Sequence, residues 1–384
     1  MVDLGLTDEQ EAFRQSARDF LEKEAVPHRQ QWDRDESVDL AIIPKMAELG
    51  FFGLTIPEEY GGLGGDYVTY VLGMEELGRA DSALRGIVSV SNGLVGKSIL
   101  GFGTEEQKQQ WLPGIASAEV LGCFGLTEPG TGSDAGNLIS RAVRDGDDYV
   151  LDGQKLYITN GTWAHVALVF ARTSDDGPRG VTAFLVPTDT PGFEAREIKG
   201  KLGLRGQATA ELFLTDVRVP ASARLGEEGQ GFKIAMSSLD KGRVSVAAGC
   251  VGLVQACLES SVEYATQRTQ FGREIAGFQL VQDMIADMSL DADAARLLVW
   301  RAADLIDRGG DYRIAASKAK LYASEAAVRA ANHCIQVYGG AGYVDEYPAA
   351  KYLRDARVMT LYEGTSQVQK LIIGRAETGI SAFT

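Results

Sequence analysis

The sequence predicts an α+β fold in three parts: helices over residues 1–120, a β-domain over 121–230 and a helical bundle over 231–384. Three observations carry this. Apolar residues recur at helical spacing in both outer parts. Short β-branched and aromatic runs, separated by turn residues, fill the middle. No internal repeat or low-complexity tract interrupts the order. At 384 residues and 45% hydrophobic, the chain can bury more than one core, and its 45 glycines follow no triplet period, so it is not collagen-like.

In the first part, Phe13, Ala17, Phe20, Leu21 and Glu24 follow a helical period, with Asp8 and Glu9 near the helix start. Pro27 and Pro44 punctuate, and IPEEYGGLGGD is a glycine-rich loop. A helix is expected from Tyr67 to Gly78 and another across Arg85 to Leu100. Thr104 with Gln107 three residues on forms a capping box. In the middle part, YVLDGQKLYITN is expected to turn at Asp152-Gly153, a hairpin dipeptide. VALVFAR, TAFLVP and ELFLTDVRVP are further strands, which together predict a small barrel or sandwich. In the last part, Leu280, Met284, Met288, Ala295 and Val299 form one stripe of a long helix. Asp311 is expected to cap the next helix, which runs toward Val337 until YGGAGY breaks it. Long helices with short connections read as a bundle.

The formal net charge of −15 disfavours nucleic acid as a partner, yet leaves room for a local basic site that holds an anion. No uninterrupted apolar run approaches the ~18 residues of a membrane span. The start has neither a secretory nor a transit composition, so a cytoplasmic protein, or a mature organellar matrix protein, is expected. Cys123, Cys250, Cys257 and Cys334 show no metal or redox spacing and are expected as reduced, buried thiols. His28, His165 and His333 form no ligand set, so no metal and no Ser-His-Asp triad are expected.

Two stretches could carry chemistry. GCFGLTEPGTGSDAG offers glycine amides and the hydroxyls of Thr127, Thr131 and Ser133 to an anion, or is a plain surface turn. It is neither a P-loop nor a strand–GxGxxG–helix unit. In LYEGTSQ, Glu363 stands before Gly364 at the edge of an apolar run. It is either an exposed acid at a helix end or a base in a dry pocket.

LTEPGTGSD, KLYITNG, RTQFGR, IQVYGGAGY and LYEGTSQ occur in this order along one chain. The set resembles the acyl-CoA dehydrogenase family, and its short-chain members most. The resemblance spans essentially the whole chain. It implies an N-terminal helical domain, a middle β-barrel or sandwich and a C-terminal four-helix bundle. It also implies a homotetramer that binds FAD, desaturates an acyl-CoA substrate between its α and β carbons and passes electrons to an electron-transferring flavoprotein.

By that resemblance Glu363 is the catalytic base, and its own N–H, with a ribityl hydroxyl of FAD, polarises the thioester oxygen. Some members keep the base on the helix around LDKGR, but the position here is Gly242. The FAD contacts implied are Phe124, Leu126, Thr127, Gly132 and Ser133, then Tyr157, Ile158 and Thr159, where many relatives have Trp at the Tyr157 position. Arg268, Gln270, Phe271, Gln336, Gly339 and Gly340 are implied to reach FAD across a subunit boundary, and Thr365 and Gln367 to hold it beside the base. Ser133, Leu239, Asp240 and Arg243 are implied for CoA, with Tyr362 and Gly364 along the thioester arm.

Arg85 departs from the short-chain pattern. Glutaryl-CoA dehydrogenases carry an arginine there, followed four residues on by a serine, here Ser89, and the arginine pairs with the substrate's distal carboxylate. The competing reading of Arg85 is a helical ion pair with Asp81. An acyl-CoA oxidase and a non-catalytic acyl-CoA-binding protein are the other readings of the chain.

Overall fold

A computed structural model describes residues 5–382. The expectation about the chain's start falls partly on residues 1–4, which lie outside them. The first part holds α1 (Asp8–Glu24), α2 (Arg29–Asp35), α3 (Ile42–Glu48), α4 (Tyr67–Ala80), α5 (Ser82–Val88), α6 (Lys97–Phe102) and α7 (Glu105–Ala116). Capping boxes start α1, at Thr7 and Gln10, and α7, at the expected Thr104 and Gln107.

The single helix expected across Arg85 to Leu100 is instead three pieces: α5, a π-helical stretch over Ser89–Gly96, and α6. Inward-facing polar side chains account for the departure. Ser91 Oγ accepts from Gly122 N at 3.1 Å, Asn92 Oδ1 accepts from Thr55 at 3.2 Å, and Ser89 Oγ accepts from Ser245 Oγ at 2.9 Å. Each is buried, so each polar atom demands a partner, and a wider turn lets them reach different elements.

The middle part holds β1 (Gly122–Gly125), β2 (Arg141–Asp145), β3 (Asp148–Thr159), β4 (Val166–Arg172), β5 (Val181–Pro187), β6 (Phe193–Glu197), β7 (Thr209–Pro220) and β8 (Arg224–Leu225). They form one sheet in the order β6-β7-β3-β2-β4-β5-β8, with β1 parallel on β4. The sheet curls on itself: the Tyr149 ring on β3 lies 5.0 Å from the Phe184 ring on β5, although β2 and β4 stand between those strands in the sheet. One face of β4 and β5 packs into this interior and the other against helices, hence their unbroken apolar runs.

The hairpin expected at Asp152-Gly153 is not there. The turn is at Gly146-Asp147, between β2 and β3, which pair from Asp145 and Asp148 outward. Asp152 and Gly153 lie inside β3 at a register shift against β7. Gly153 has φ 151°, and a Cβ there would sit 2.2 Å from Ser140 Oγ. The glycine serves a bulge and a close approach, not a turn.

The last part holds α8 (Gly231–Gln267), the short strands β9 (Thr269–Gln270) and β10 (Arg273–Glu274), then α9 (Gln279–Asp307), α10 (Arg313–Tyr338), α11 (Ala349–Met359) and α12 (Ser366–Thr378). Helix α8 is long and apolar enough to cross a membrane, but 78% of its apolar window is buried inside the protein. It is the core helix, packed on α4, α9 and α10. Of the predicted α9 stripe, Met288, Ala295 and Val299 are buried, Met284 is half-buried and Leu280 is exposed. Asp311 accepts from Arg313 N at 3.3 Å, one residue before the actual N-cap, Tyr312.

A buried charged cluster ties the parts together. Lys351 on α11 lies 3.3 Å from Asp81, the N-cap of α5, and 2.6 Å from Asp355, whose other oxygen accepts from Leu204 N at 2.6 Å. All four cysteines are unpaired and buried, as expected.

Candidate active site

Glu363 sits between α11 and α12 in a left-handed conformation, φ 51°, followed by Gly364 at φ 91°. For glycine this is ordinary backbone, but for Glu363 it is strained and needs outside support. Both carbonyls are held: Gln369 Nε2 donates to Glu363 O at 3.2 Å and Gly364 O at 3.1 Å, Arg243 Nε to Glu363 O at 3.4 Å, and Lys320 Nζ to Gly364 O at 2.8 Å. Among the described residues the Glu363 N–H donates to nothing. Glycine at 364 is favoured by its φ of 91°, which side chains rarely adopt, and a Cβ there would also push on Gln369 Nε2 at 2.4 Å.

The Glu363 carboxylate is not a surface acid. Its Oε2 is buried without a hydrogen-bond partner. Burial pushes the carboxyl up to about 6, against the pull of Arg85, Lys320 and Arg243. Gly242 on α8 faces it: a Cβ at that position would sit 2.2 Å from Glu363 Oε2 and 2.9 Å from Leu94 Cδ2. The position that lacks an acid is therefore also one where any side chain would displace the Glu363 carboxylate and Leu94.

Arg85 is 1% exposed. It does not pair with Asp81, which is committed to Lys351 and to capping Ala83 N. Instead Arg85 donates to the Tyr362 hydroxyl and lies 5.7 Å from that ring's centroid. Its Nε is buried without a partner, and among the described residues no carboxylate lies within ion-pair distance. Gly249 makes the room, since a Cβ there would meet Arg85 Cδ at 2.9 Å. Ser89 is close by in a hydroxyl chain: Tyr70 donates to Ser245 at 3.1 Å and Ser245 to Ser89 at 2.9 Å. Arg243 is ion-paired with Asp240, and Leu239 packs beside Phe124 and Leu126.

The two central motifs meet at the sheet. Leu156 N donates to Thr127 O at 2.9 Å. A second bulge in β3, with Tyr157 at φ 60°, turns the Tyr157 ring outward so that it is 66% exposed. Ile158 points the other way, into the sheet interior, leaving only its backbone for a ligand. Thr159 accepts from Gln207 Nε2 at 3.3 Å. In the loop, Glu128 and Thr131 exchange backbone hydrogen bonds around Pro129-Gly130, while the amides of Gly130, Gly132 and Ser133 donate to nothing among the described residues. Thr131 Oγ1 is buried without a partner. An outward aromatic ring, free amides and an orphaned hydroxyl fit a flavin with its pyrophosphate. Glu128 is structural: it holds Ile139 N, Ser140 N and buried Lys155.

Thr365 is the N-cap of α12, with its Oγ1 accepting from Val368 N at 3.2 Å, and Gln367 is exposed one turn from the base. The remaining predicted contacts are not near these. Arg268, Gln270, Phe271, Gln336, Gly339 and Gly340 are exposed at the far end of α8 and α10, where Tyr264 stacks on Tyr338 at 4.1 Å. Phe271 is 94% exposed. From Gly242 to Gln267 α8 rises ~37 Å, so one chain presents the two groups at opposite ends of one helix.

Lys320, Gln369, Tyr70, Ser245, Gln207 and Gly249 were not among the residues picked from sequence. Lys320 alone left a trace: it interrupts an alanine stripe, Ala316, Ala319 and Ala323, at helical spacing.

Family models for the acyl-CoA dehydrogenase N-terminal, middle and C-terminal domains match residues 7–119, 123–217 and 229–378. The mitochondrial short-chain specific acyl-CoA dehydrogenase of Mus musculus is 44% identical over 369 residues, which is 96% of this chain and 90% of that protein. Butyryl-CoA dehydrogenase from Megasphaera elsdenii superposes with a TM-score of 0.95 at 41% identity, covering 98% of this chain and 100% of the other. A glutaryl-CoA dehydrogenase from Mycobacterium smegmatis, in complex with FADH2, superposes with a TM-score of 0.95 at 36% identity, covering 100% and 98%. Three successive domains, the order of the motifs and identity along nearly the whole length agree: the chain belongs to the acyl-CoA dehydrogenase family of FAD-dependent oxidoreductases.

Proposed function

We propose that this chain desaturates a short acyl-CoA at its α and β carbons with Glu363 as the base. The observation that carries this is the buried, unpartnered Oε2 of Glu363, facing space that Gly242 leaves open. A carboxylate stripped of water and pushed up to about 6 is a stronger base than an exposed one, yet still ionised at neutral pH. As the α proton leaves, charge grows on the thioester oxygen, and the unspent Glu363 N–H is the donor placed to meet it. FAD, when bound, supplies the acceptor for the β hydride. Tyr157, Thr127 and the free amides of the 130–133 loop would hold it on the sheet side. Arg243, ion-paired with Asp240 and bonded to the Glu363 carbonyl, would serve the CoA side of the base.

Exchange of the substrate α proton with solvent tests the assignment. Glu363→Gln should retain FAD and lose exchange by about 10²–10⁴-fold. Near-normal exchange in that variant would overturn it.

A second reading concerns the acyl tail. Arg85 is buried beside the base, and its Nε has no partner. Among the described residues no carboxylate lies within ion-pair distance, only the longer-range charge of Glu363, a costly arrangement that a substrate carboxylate would relieve. This supports a dicarboxylyl thioester of the glutaryl or methylsuccinyl type. Arg85→Ala should then lower kcat/KM on glutaryl-CoA at least about 100-fold more than on butyryl-CoA, the worth of a lost charge-assisted pair. Equal losses would leave the simple short-chain reading.

We further propose that the FAD site is completed by a second copy. Phe271 and Arg268 lie too far along α8 to serve the same chain's pocket, which supports the homotetramer expected by resemblance. Electrons would then pass to an electron-transferring flavoprotein; peroxide formed in air at the full turnover rate would instead indicate an oxidase.

A further inference from the structure

We propose that Lys320 is a positioning residue for the base: its ammonium pins the Gly364 carbonyl and lays an uncommitted positive charge beside the Glu363 carboxylate. The inference rests on Glu363 being the base.

Lys320 is 0% exposed on the inner face of α10, among Ala316, Ala319 and Ala323, each also fully buried. Its Nζ donates to Gly364 O at 2.8 Å, and among the described residues no carboxylate lies within ion-pair distance of it. A buried ammonium without a carboxylate is rare. The backbone it serves is equally rare, a non-glycine residue at φ 51° followed by a glycine at φ 91°. Gly364 adopts its positive φ readily, but Glu363 does not hold its conformation unaided, so fixed donors on the carbonyls of the turn help to keep it there.

Three side chains supply them, and they differ in charge. Gln369 is neutral. Arg243 is cationic, but its charge is shared with Asp240. Only Lys320 brings a pinned donor and a free charge together. The charged and titratable groups around the pair are Tyr70 from α4, Arg85 from α5, Asp240, Arg243 and Cys250 from α8, Glu325 from α10 itself and Tyr362 from the loop. Cys250 is neutral, its thiol pushed up by burial to about 12. Glu325 accepts from Ser366 Oγ at 2.5 Å. The positive field on Glu363 therefore comes from Arg85, Lys320 and Arg243, and a substrate carboxylate would consume that of Arg85. Lys320 and Arg243 then remain to keep the buried base ionised, and of the two only Lys320 has no carboxylate partner among the described residues. Burial draws Lys320 itself down to about 8, which leaves a window near neutrality where the lysine is charged and the base ionised.

Deuterium wash-in at the α carbon of butyryl-CoA, followed against pH with the holoenzyme, tests this. Lys320→Gln keeps a donor for Gly364 O but removes the charge. It should shift the acid limb of the profile upward by about one pH unit while the plateau rate falls by less than about tenfold. Lys320→Met removes both, and should shift the limb equally and lower the plateau about 10–100-fold with KM little changed. If the methionine variant fails to fold, the limb of the glutamine variant decides alone. A limb at the wild-type pH in a folded variant overturns the inference. Glu363→Gln separates this from the larger reading: exchange that persists there removes the base assignment itself, whereas exchange lost there with unmoved Lys320 limbs removes only this proposal.

Discussion

At the scale of single residues, the site is governed by which atoms are left without partners. Glu363 Oε2, Arg85 Nε and Thr131 Oγ1 are all buried and unanswered, and on the proposed reading they would serve the reacting carbon, the acyl tail and the flavin in turn. Gly242 shows how tightly the base is placed. Alanine there should stabilise α8 slightly, since glycine inside a helix costs ~0.5–1 kcal/mol. Yet the added methyl would meet Glu363 Oε2 at 2.2 Å. A Gly242→Ala enzyme should therefore fold as well as wild type, retain flavin and lose about 10–100-fold in α-proton exchange through a displaced carboxylate. An unchanged exchange rate would mean that the carboxylate moves aside at no cost. The pH dependence belongs to the same residue. Glu363 must be ionised to act, so exchange should rise with pH through about 6, where burial has placed its carboxyl. The stability consequence has the opposite sense. The folded state holds that proton more tightly than the unfolded one, so the contribution is present below the usual value of 4.5 and is lost as pH rises through about 6.

At the scale of elements, local pattern and final structure agree where one period dominates and part where polar groups intervene. The capping box at Thr104 and Gln107 survived because it satisfies amides within its own turn. The Asp152-Gly153 turn did not, because β7 and Ser140 press on β3 from outside and Gly146-Asp147 already supplied the reversal. The expected helix across Arg85 to Leu100 opened into a π stretch because its serines and Asn92 answer to three other parts of the chain, the loop at Thr55, β1 and α8. The joint between α5, α11 and the loop at Leu204 depends on one cation. Lys351 separates Asp81 from Asp355, two buried carboxylates. Lys351→Met would leave both uncompensated and should cost roughly 3–5 kcal/mol, read from denaturant unfolding. Because Asp81 caps the helix that carries Arg85, the loss should also loosen the acyl pocket.

At the scale of the whole molecule, the proposal that a second chain completes the flavin site rests on the exposed aromatic and glycine residues at the far end of α8 and α10. Complementation tests this. A Glu363→Gln chain and an Arg268→Ala/Phe271→Ala chain should each be poorly active alone. Mixed oligomers contain some sites with Glu363 from one parent and intact Arg268 and Phe271 from the other, and should recover activity that neither parent has. No recovery on co-expression would place the whole flavin site within one chain.

The order of helical, β and helical parts was legible from residue periodicity alone, because each segment's apolar pattern reports the face it must bury. The identity of the base candidate was legible too, since LYEGTSQ and the glycine at 242 are sequence features. What the acid faces was not. Burial of Glu363, the diversion of Asp81 from Arg85 to Lys351, and the roles of Lys320 and Gln369 arise from residues dozens to hundreds of positions apart, brought together only by packing. Sequence determined which groups are available; the desolvation and the field that raise the Glu363 carboxyl, and on which its proposed role as base depends, exist only once α5, α8, α10 and the 363–364 turn close around it.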